Sequence, residues 1–596
     1  MNDTKNLRQS WVNDGSQWSE AELQASALEA ISLSDMHLAI DISKTAIERF
    51  GPNPTSQYYQ ALAYANCGSR DEVFRLMEPL LASVKERDEI YTDARSLAGR
   101  LEKDRYMRTN EGPEKDSALA NALDAYYDAY KLTNGSFPGI NAATLFLLAD
   151  AKEQAREIAV ALITSNASDQ DEFWQLATLA EAHVILEEYD NARHYYEQVV
   201  ERAGNNFGLI SSVKKHLPLI DSKQPVPADL FRLLDGPAIG IFSGHMFDTA
   251  DRAEPRFPIS LKEKASEAIG SYIDEANIKI AYTSAACGGD LLFCREILNR
   301  GLELNIVVPF ATEEFRRTSV ALNGVDESME YWDILKAANS VSIATDESHL
   351  NNPCLYTHAD NLIEGYALLR AGQCNGRVEV IAAIDPYTQG EPGGTTERTT
   401  EWLEQGLDVH IVDIAQLRGD DVAESILPTG PKKVDVRHLG REIMSLVEIT
   451  SNAPVEMLVE GLADKLPTDV TFLSGEGISR AFGKVKDAAD YAYHVRAIAS
   501  LVDWPALGLS EELTLQLAIH TGPIFPRSKT KDKDYFGTHV FYARELSEVT
   551  PPGCIYLTEP AAALLLTHGP EEYLSDYLGD MKVKDFVRQI YRLHRA

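Results

Sequence analysis

Residues 515–559 read LQLAIHTGPIFPRSKTKDKDYFGTHVFYARELSEVTPPGCIYLTE, and the last third of the chain is organised around them. Leu515, Leu517 and Ile519 recur at every second position, which predicts a half-buried strand. Thr521-Gly522-Pro523 is a turn signal and is expected to end that strand. A polar loop leads to Asp534-Tyr535-Phe536-Gly537. Val540, Ala543 and Leu546 then follow at helical spacing. Pro551-Pro552-Gly553 stops the helix, and Cys554–Leu557 predicts a second short strand closing on Thr558-Glu559.

This order of strand, turn, glycine loop, helix and strand resembles the second half of a class III adenylate/guanylate cyclase catalytic domain. Ile519–Pro523 matches the strand end and Asp534–Gly537 the nucleotide-side loop. The resemblance implies an α+β, ferredoxin-like cyclase-homology domain over residues 436–596. It also implies that Asp534 reads the adenine amino group and that Lys584 meets a phosphate. Glu448 and Glu476 stand where the family places the aspartates that hold two Mg²⁺ (or Mn²⁺) ions. The added methylene of each glutamate displaces those oxygens. Four residues after the loop glycine the family has Asn, and eight after it Arg; here these positions are Phe541 and Glu545. A phenyl ring donates no hydrogen bond, and a carboxylate repels a triphosphate. The expectation is therefore a catalytically impaired domain. The alternative is an active adenylate cyclase converting ATP to cyclic AMP, which would require a homodimer because family sites form between two domains.

Upstream, residues 236–413 alternate short apolar runs with helix-length amphipathic stretches. The runs are 238–243, 278–283, 304–308, 341–344, 378–383 and 409–412. Near-continuous apolar strands alternating with helices predict a doubly wound, Rossmann-like parallel sheet. Ligands of such sheets bind at the carboxyl ends of the strands. The loops expected there are Ser243-Gly244-His245-Met246, Ser284 to Gly288-Gly289-Asp290, and Pro392-Gly393-Gly394-Thr395-Thr396. Glycines permit close approach of the backbone, and a helix N-terminus offers unpaired amides. Asp290 would oppose a bare phosphate, so a ribose hydroxyl is its expected partner; each loop also reads as an ordinary turn with a helix cap. This set resembles the SLOG superfamily, which implies a nucleotide or nucleotide-derived small molecule as ligand. Cys287 has no activating neighbour in sequence and is expected to be structural.

Residues 20–205 read as helices throughout, after a tail at 1–19. Ala61–Ala65 and Ala180–Val184 place small residues where helices cross. The aromatic-bearing stretches around Phe74 and Tyr195-Tyr196 follow them. That rhythm predicts three to five tetratricopeptide-type helical pairs, and hence a surface for a protein partner. Phe137-Pro138-Gly139-Ile140-Asn141-Ala142-Ala143-Thr144-Leu145 resembles the TRAFs-binding domain. Residues 206–235 and 414–435 read as linkers.

A chain of 596 residues needs several cores. Its net charge of −35 argues against nucleic acid and anionic membranes as partners. The six cysteines form no Cys-x-x-Cys pair, which fits free thiols in a reducing cytoplasm. No window is apolar for long enough to cross a bilayer. A scaffold without bound ligands is the plainest reading of all three modules.

Overall fold

Small residues set the helix spacing of the N-terminal part in the computed structural model. Residues 7–595 are described, except 8–9, 12, 33–35, 67–69, 87, 89, 166–171, 205, 323–324, 346–353, 389–393, 405–406, 421–424, 428–441, 463–470, 475–476, 510–511, 527–534, 537, 568–571 and 584–585. The chain divides into two units, Met1–Gly236 and Pro237–Ala596. The first is all-helical. Its antiparallel neighbours include Pro54–Asn66 with Arg70–Ser83, Tyr91–Arg108 with Pro113–Thr133, and Glu172–Ile185 with Tyr189–Ala203. Ala61, Ala63, Ala180, Ala182 and Ala192 are buried at the crossings. Gly99 lies so close to Tyr126 that a Cβ there would sit 2.6 Å from the ring, so the aromatic of one helix fills the gap left on the other.

The segment 206–235 differs from the linker expected there. It forms Phe207–Lys214, Leu217–Asp221 and Ala228–Leu233, and Ile210, Leu217, Ile220 and Leu230 enter the repeat core. Pro218 sits in the first turn of its helix and Pro227 at the N-cap of the next, where a missing N–H costs nothing.

In the second unit all six predicted parallel strands are present: β1 (Ala238–Gly244), β2 (Ile278–Thr283), β3 (Glu303–Val308), β6 (Ser340–Ile343), β7 (Arg377–Ile384) and β8 (Val409–Asp413). The two-residue strands β4 (Ala321–Leu322) and β5 (Val325–Asp326) form a separate ribbon. The order is β6-β3-β2-β1-β7-β8. Helices α1 (Lys262–Glu275), α2 (Gly289–Asn299), α3 (Cys354–Cys374) and α4 (Thr395–Glu404) cover its faces, which is why β1 is apolar along nearly its whole length. The second expected linker begins as the short helix Ile414–Arg418, and Ile414 is buried against the sheet.

The rest of the unit is a mixed sheet of β9 (Glu442–Ser451), β10 (Thr471–Ser474), β11 (Gly477–Phe482), β12 (Leu515–Pro526), β13 (Tyr535–Phe536), β14 (Ile555–Thr558), β15 (Tyr573–Val583) and β16 (Phe586–Arg595). Its order is β10-β11-β9-β12-β14-β16-β15, with β13 on β12. Helices α5 (Val485–Ala499), α6 (Thr538–Val549) and α7 (Glu559–Thr567) pack on it.

The turn expected at Thr521-Gly522-Pro523 does not occur: β12 continues to Pro526, paired with β9 as far as Ile524. The glycine serves packing instead. A Cβ on Gly522 would lie 2.1 Å from His539 Nδ1, so the bare backbone makes room for the imidazole of α6. His539 Nδ1 and His520 Nε2 are 2.8 Å apart, His520 Nδ1 meets Thr558 at 2.9 Å, and His539 Nε2 reaches Thr345 beyond β6 at 3.1 Å. This chain ties the second sheet to the first. Beside it, α3 crosses α7 closely enough that a Cβ on Gly365 would be 2.5 Å from that of Ala563.

Gly522→Ala should destabilise the chain by roughly 1–3 kcal/mol through overpacking. Gly483→Ala, where an added Cβ meets nothing within 4 Å, should be near neutral in urea denaturation. Burial lowers His539 to about 4 and His358 to about 3, so the unfolded chain takes up protons that the folded chain refuses. The contribution of these histidines is therefore complete above about pH 6.5 and is lost as pH drops toward 4. By denaturation midpoints at pH 7.5 and 5, the parent should lose more stability, or gain less, than a His520→Gln/His539→Gln double variant.

Candidate functional site

β1 lies between β2 and β7, so the chain's strand order reverses at β1/β7 and a crevice opens beyond their carboxyl ends. The structure brings three of the sequence-predicted loops together there. Gly244 ends β1, Gly288 and Gly289 lead from β2 into α2, and Gly394 and Thr395 lead into α4. The Thr395 hydroxyl donates to the Gly244 carbonyl at 3.0 Å. Gly393 lies outside the described residues.

The first two loops differ in detail from their expected use. Their glycines approach each other rather than opening backbone to a ligand: a Cβ on Gly244 would be 2.7 Å from Gly289 Cα. Gly288 has φ of +86°, and a Cβ there would be 2.7 Å from His245 O. The amides at the start of α2 are also spent. Gly289 N–H donates to His245 O at 2.9 Å, and Gly288 N–H donates to a Glu327 carboxylate oxygen at 3.0 Å. A carboxylate thus already sits where an anion would bind. Asp290 likewise turns inward, against the expected ribose contact. It accepts from Gly244 N–H at 2.9 Å and from the Ser284 hydroxyl. Burial pushes its carboxyl up to about 6, against those hydrogen bonds.

The α4 side of the crevice remains. Thr396 Oγ1 is buried and finds no hydrogen-bond partner among the described residues; the same holds for His245 Nε2. Burial, reinforced by the charges of Arg256 and Arg252, keeps His245 well below its usual range and therefore neutral. Sequence reasoning missed the residues that brace this side. Arg398 is 3% exposed and forms an ion pair with Glu364 of α3, while also donating to Asn361 at 2.9 Å and Glu401 at 3.0 Å. Trp402 Nε1 donates to Glu364 at 3.0 Å. Asp360, on the same helix, is pushed up to about 7 by burial against the pull of Arg398, with Asp290 adding repulsion. Two carboxyls raised toward neutrality beside one crevice mark it as the candidate site. In sequence Asp360 and Glu364 show only helical spacing, so no local signal distinguished them.

On the mixed sheet, Phe541 is 60% exposed on α6 and Glu545 lies one turn further on the same helix. Arg544 is 3.8 Å from Glu548, an ion pair along its own helix. Glu448 is buried in mid-strand, and the Ser479 hydroxyl donates to it. Among the described residues no group of three or more His, Cys, Asp or Glu side chains could hold a metal ion. Glu476, Asp534 and Lys584 lie outside the described residues. Cys287 is buried, with its thiol pushed up to about 12, as an inert thiol would be.

In the repeat unit the polar members of the 137–145 string are the informative ones. Thr144 donates to buried Glu181 at 2.6 Å, and Lys103 Nζ donates to Asn141 Oδ1 at 2.6 Å. His216 bridges Glu181 at 2.9 Å and Lys103 at 3.3 Å, which closes a polar network across four segments.

Because the folded pKa of Asp290 lies above its unfolded value of about 3.9, folding loses stability as pH rises through that window. Asp290→Asn keeps an acceptor for Gly244 N–H and removes the charge. It should be more stable than the parent at pH 8, on the order of 2 kcal/mol, with the difference gone near pH 4. Urea titrations at both pH values measure this.

Comparison with known proteins bears on parts of the chain. No curated protein matches it. A thermophilic tetratricopeptide-repeat protein from Thermus thermophilus is 16% identical, with a TM-score of 0.28, over 34% of this chain and 100% of its own. The adenylyl cyclase CyaB from P. aeruginosa is 17% identical with a TM-score of 0.20, over 26% of this chain and 95% of its own. An adenylate cyclase from Trypanosoma brucei is 16% identical with a TM-score of 0.22, over 26% of this chain and 88% of its own. These likenesses are distant and cover part of the chain. Residues 35–146 match the family described as Tetratricopeptide Repeats-Sensor, so the N-terminal unit carries tetratricopeptide-like helical repeats.

Proposed function

We propose that the chain is a cytoplasmic signalling protein in which the repeats dock a protein partner and the β1/β7 crevice binds a nucleotide-derived small molecule. The cyclase-like domain on this reading is a regulatory module without turnover. The observation that carries the reading is the crevice itself. Gly244, Gly394 and Thr395 meet at the reversal of strand order, beside the unpartnered polar atoms of His245 and Thr396. The spent amides of α2 favour a ligand that uses the α4 side, and Asp360 offers a carboxyl for a hydroxyl-rich group such as ribose. The resemblances to SLOG domains and to the TRAFs-binding domain support the ligand class and the protein partner respectively. Phe541 and Glu545 support the absence of catalysis. α3 supplies a route for coupling, since Glu364 and Asn361 hold α4 while Gly365 packs on α7.

Calorimetric titration of the full chain with ADP-ribose, ATP, GTP and cyclic nucleotides, each with and without Mg²⁺, tests this. One of them should bind without a metal requirement, and Thr395→Val should weaken it about tenfold, the loss of one hydrogen bond. Metal-dependent formation of cyclic AMP, abolished by Glu476→Ala, would overturn the reading in favour of an active homodimeric cyclase.

A further inference from the structure

α3 also faces a cavity of about 150 Å³ that lies between it and the cyclase-like sheet. His358 and Asn361 line one wall, Ser445 of β9 and Thr521 of β12 the opposite wall, and Val485 and Leu564 flank them. His358 is 1% exposed, and among the described residues neither of its ring nitrogens has a hydrogen-bond partner. A neutral imidazole carries one donor and one acceptor, and leaving both unpaired away from water is costly. Ser445 and Thr521 bond each other at 2.9 Å, which uses one hydroxyl proton and leaves the other to point elsewhere. Asn361 Oδ1 is taken by Arg398, so its amide N–H groups are what it can offer the cavity.

The lining decides the class of occupant. Among the described residues its lining has no lysine, arginine, aspartate or glutamate, so an ion entering it would lose hydration with no counter-charge from them. A volume of this order holds a benzene-sized ring and is too small for a whole nucleotide. Apolar flanks with donors and acceptors on two opposed walls suit a flat ring with polar edges. Ser445 and Glu448 are three residues apart on β9 and so face opposite sides of the sheet, which separates this cavity from the carboxylate face of the cyclase resemblance.

We infer that this cavity is a binding site for a small neutral heterocycle, a single ring bearing at least one hydrogen-bond donor and one acceptor, of the pyrimidine-base kind. His358 supplies the polar recognition, and the Ser445/Thr521 pair reads the opposite edge. The site is independent of the crevice reading above and does not require it.

The test uses the full chain and three probes at millimolar concentration: cytosine, benzene and inorganic phosphate, followed by thermal shift and calorimetry. Cytosine should bind one to one and raise the melting temperature, while phosphate and benzene should not. His358→Phe, which keeps a ring and removes both nitrogens, should weaken cytosine at least about tenfold. Should that variant fail to fold, Ser445→Ala carries the same expectation. Chemical-shift changes of ¹⁵N-labelled histidine in the parent chain report directly on His358. Absence of cytosine binding to the folded parent, or equal binding to the variants, overturns the inference.

Discussion

The contact between Gly365 and Ala563 is the constraint on which the C-terminal unit depends. With no side chain at 365, α3 approaches α7 until a Cβ would be 2.5 Å from that of Ala563. One helix thereby becomes a shared wall: the parallel sheet lies on one side of it and the mixed sheet on the other. Gln373, just over two turns beyond Gly365, extends the seam by donating to Tyr591 at 3.2 Å. The histidine chain from Thr558 to Thr345 runs beside it, and burial keeps those rings neutral. Two neutral imidazoles share one hydrogen bond comfortably, whereas two imidazoliums would set N–H against N–H.

That shared helix also explains why the crevice is shaped as it is. Glu364 and Asn361 are positioned by α3 and in turn fix Arg398, so the start of α4 is braced from the side that faces the mixed sheet. A buried arginine held by two carboxylates, an amide and a carbonyl gives a fixed orientation more than net stability. Arg398 therefore acts as a positioning group for the α4 loop. The same economy appears at α2, where Glu327 comes from a distant segment to cap the helix and removes it from ligand binding.

The six parallel strands were legible in the sequence because burial on both faces demands continuous apolar runs, and these are a local property. The repeats were legible for a similar reason, since small residues at crossings recur with the helix pair. The Thr521-Gly522-Pro523 turn was misread because glycine serves two purposes with one sequence signature. It permits turns, and it vacates space for a neighbour; only the presence of His539 tells them apart. The 206–235 segment was misread likewise, because prolines at helix starts and prolines in linkers look alike without their neighbours.

The order of modules, the periods of their elements and the chemical character of positions such as Phe541 and Glu545 are written in the chain alone. Those features depend on residues close together along it. Folding in three dimensions settles which amides remain available, that Asp290 turns inward, that Asp360 and Arg398 flank the crevice, and that His358 faces a cavity. Each of those depends on a partner tens to hundreds of residues away, as in Glu327 to Gly288 or His539 to Thr345, and no local pattern encodes such a pairing.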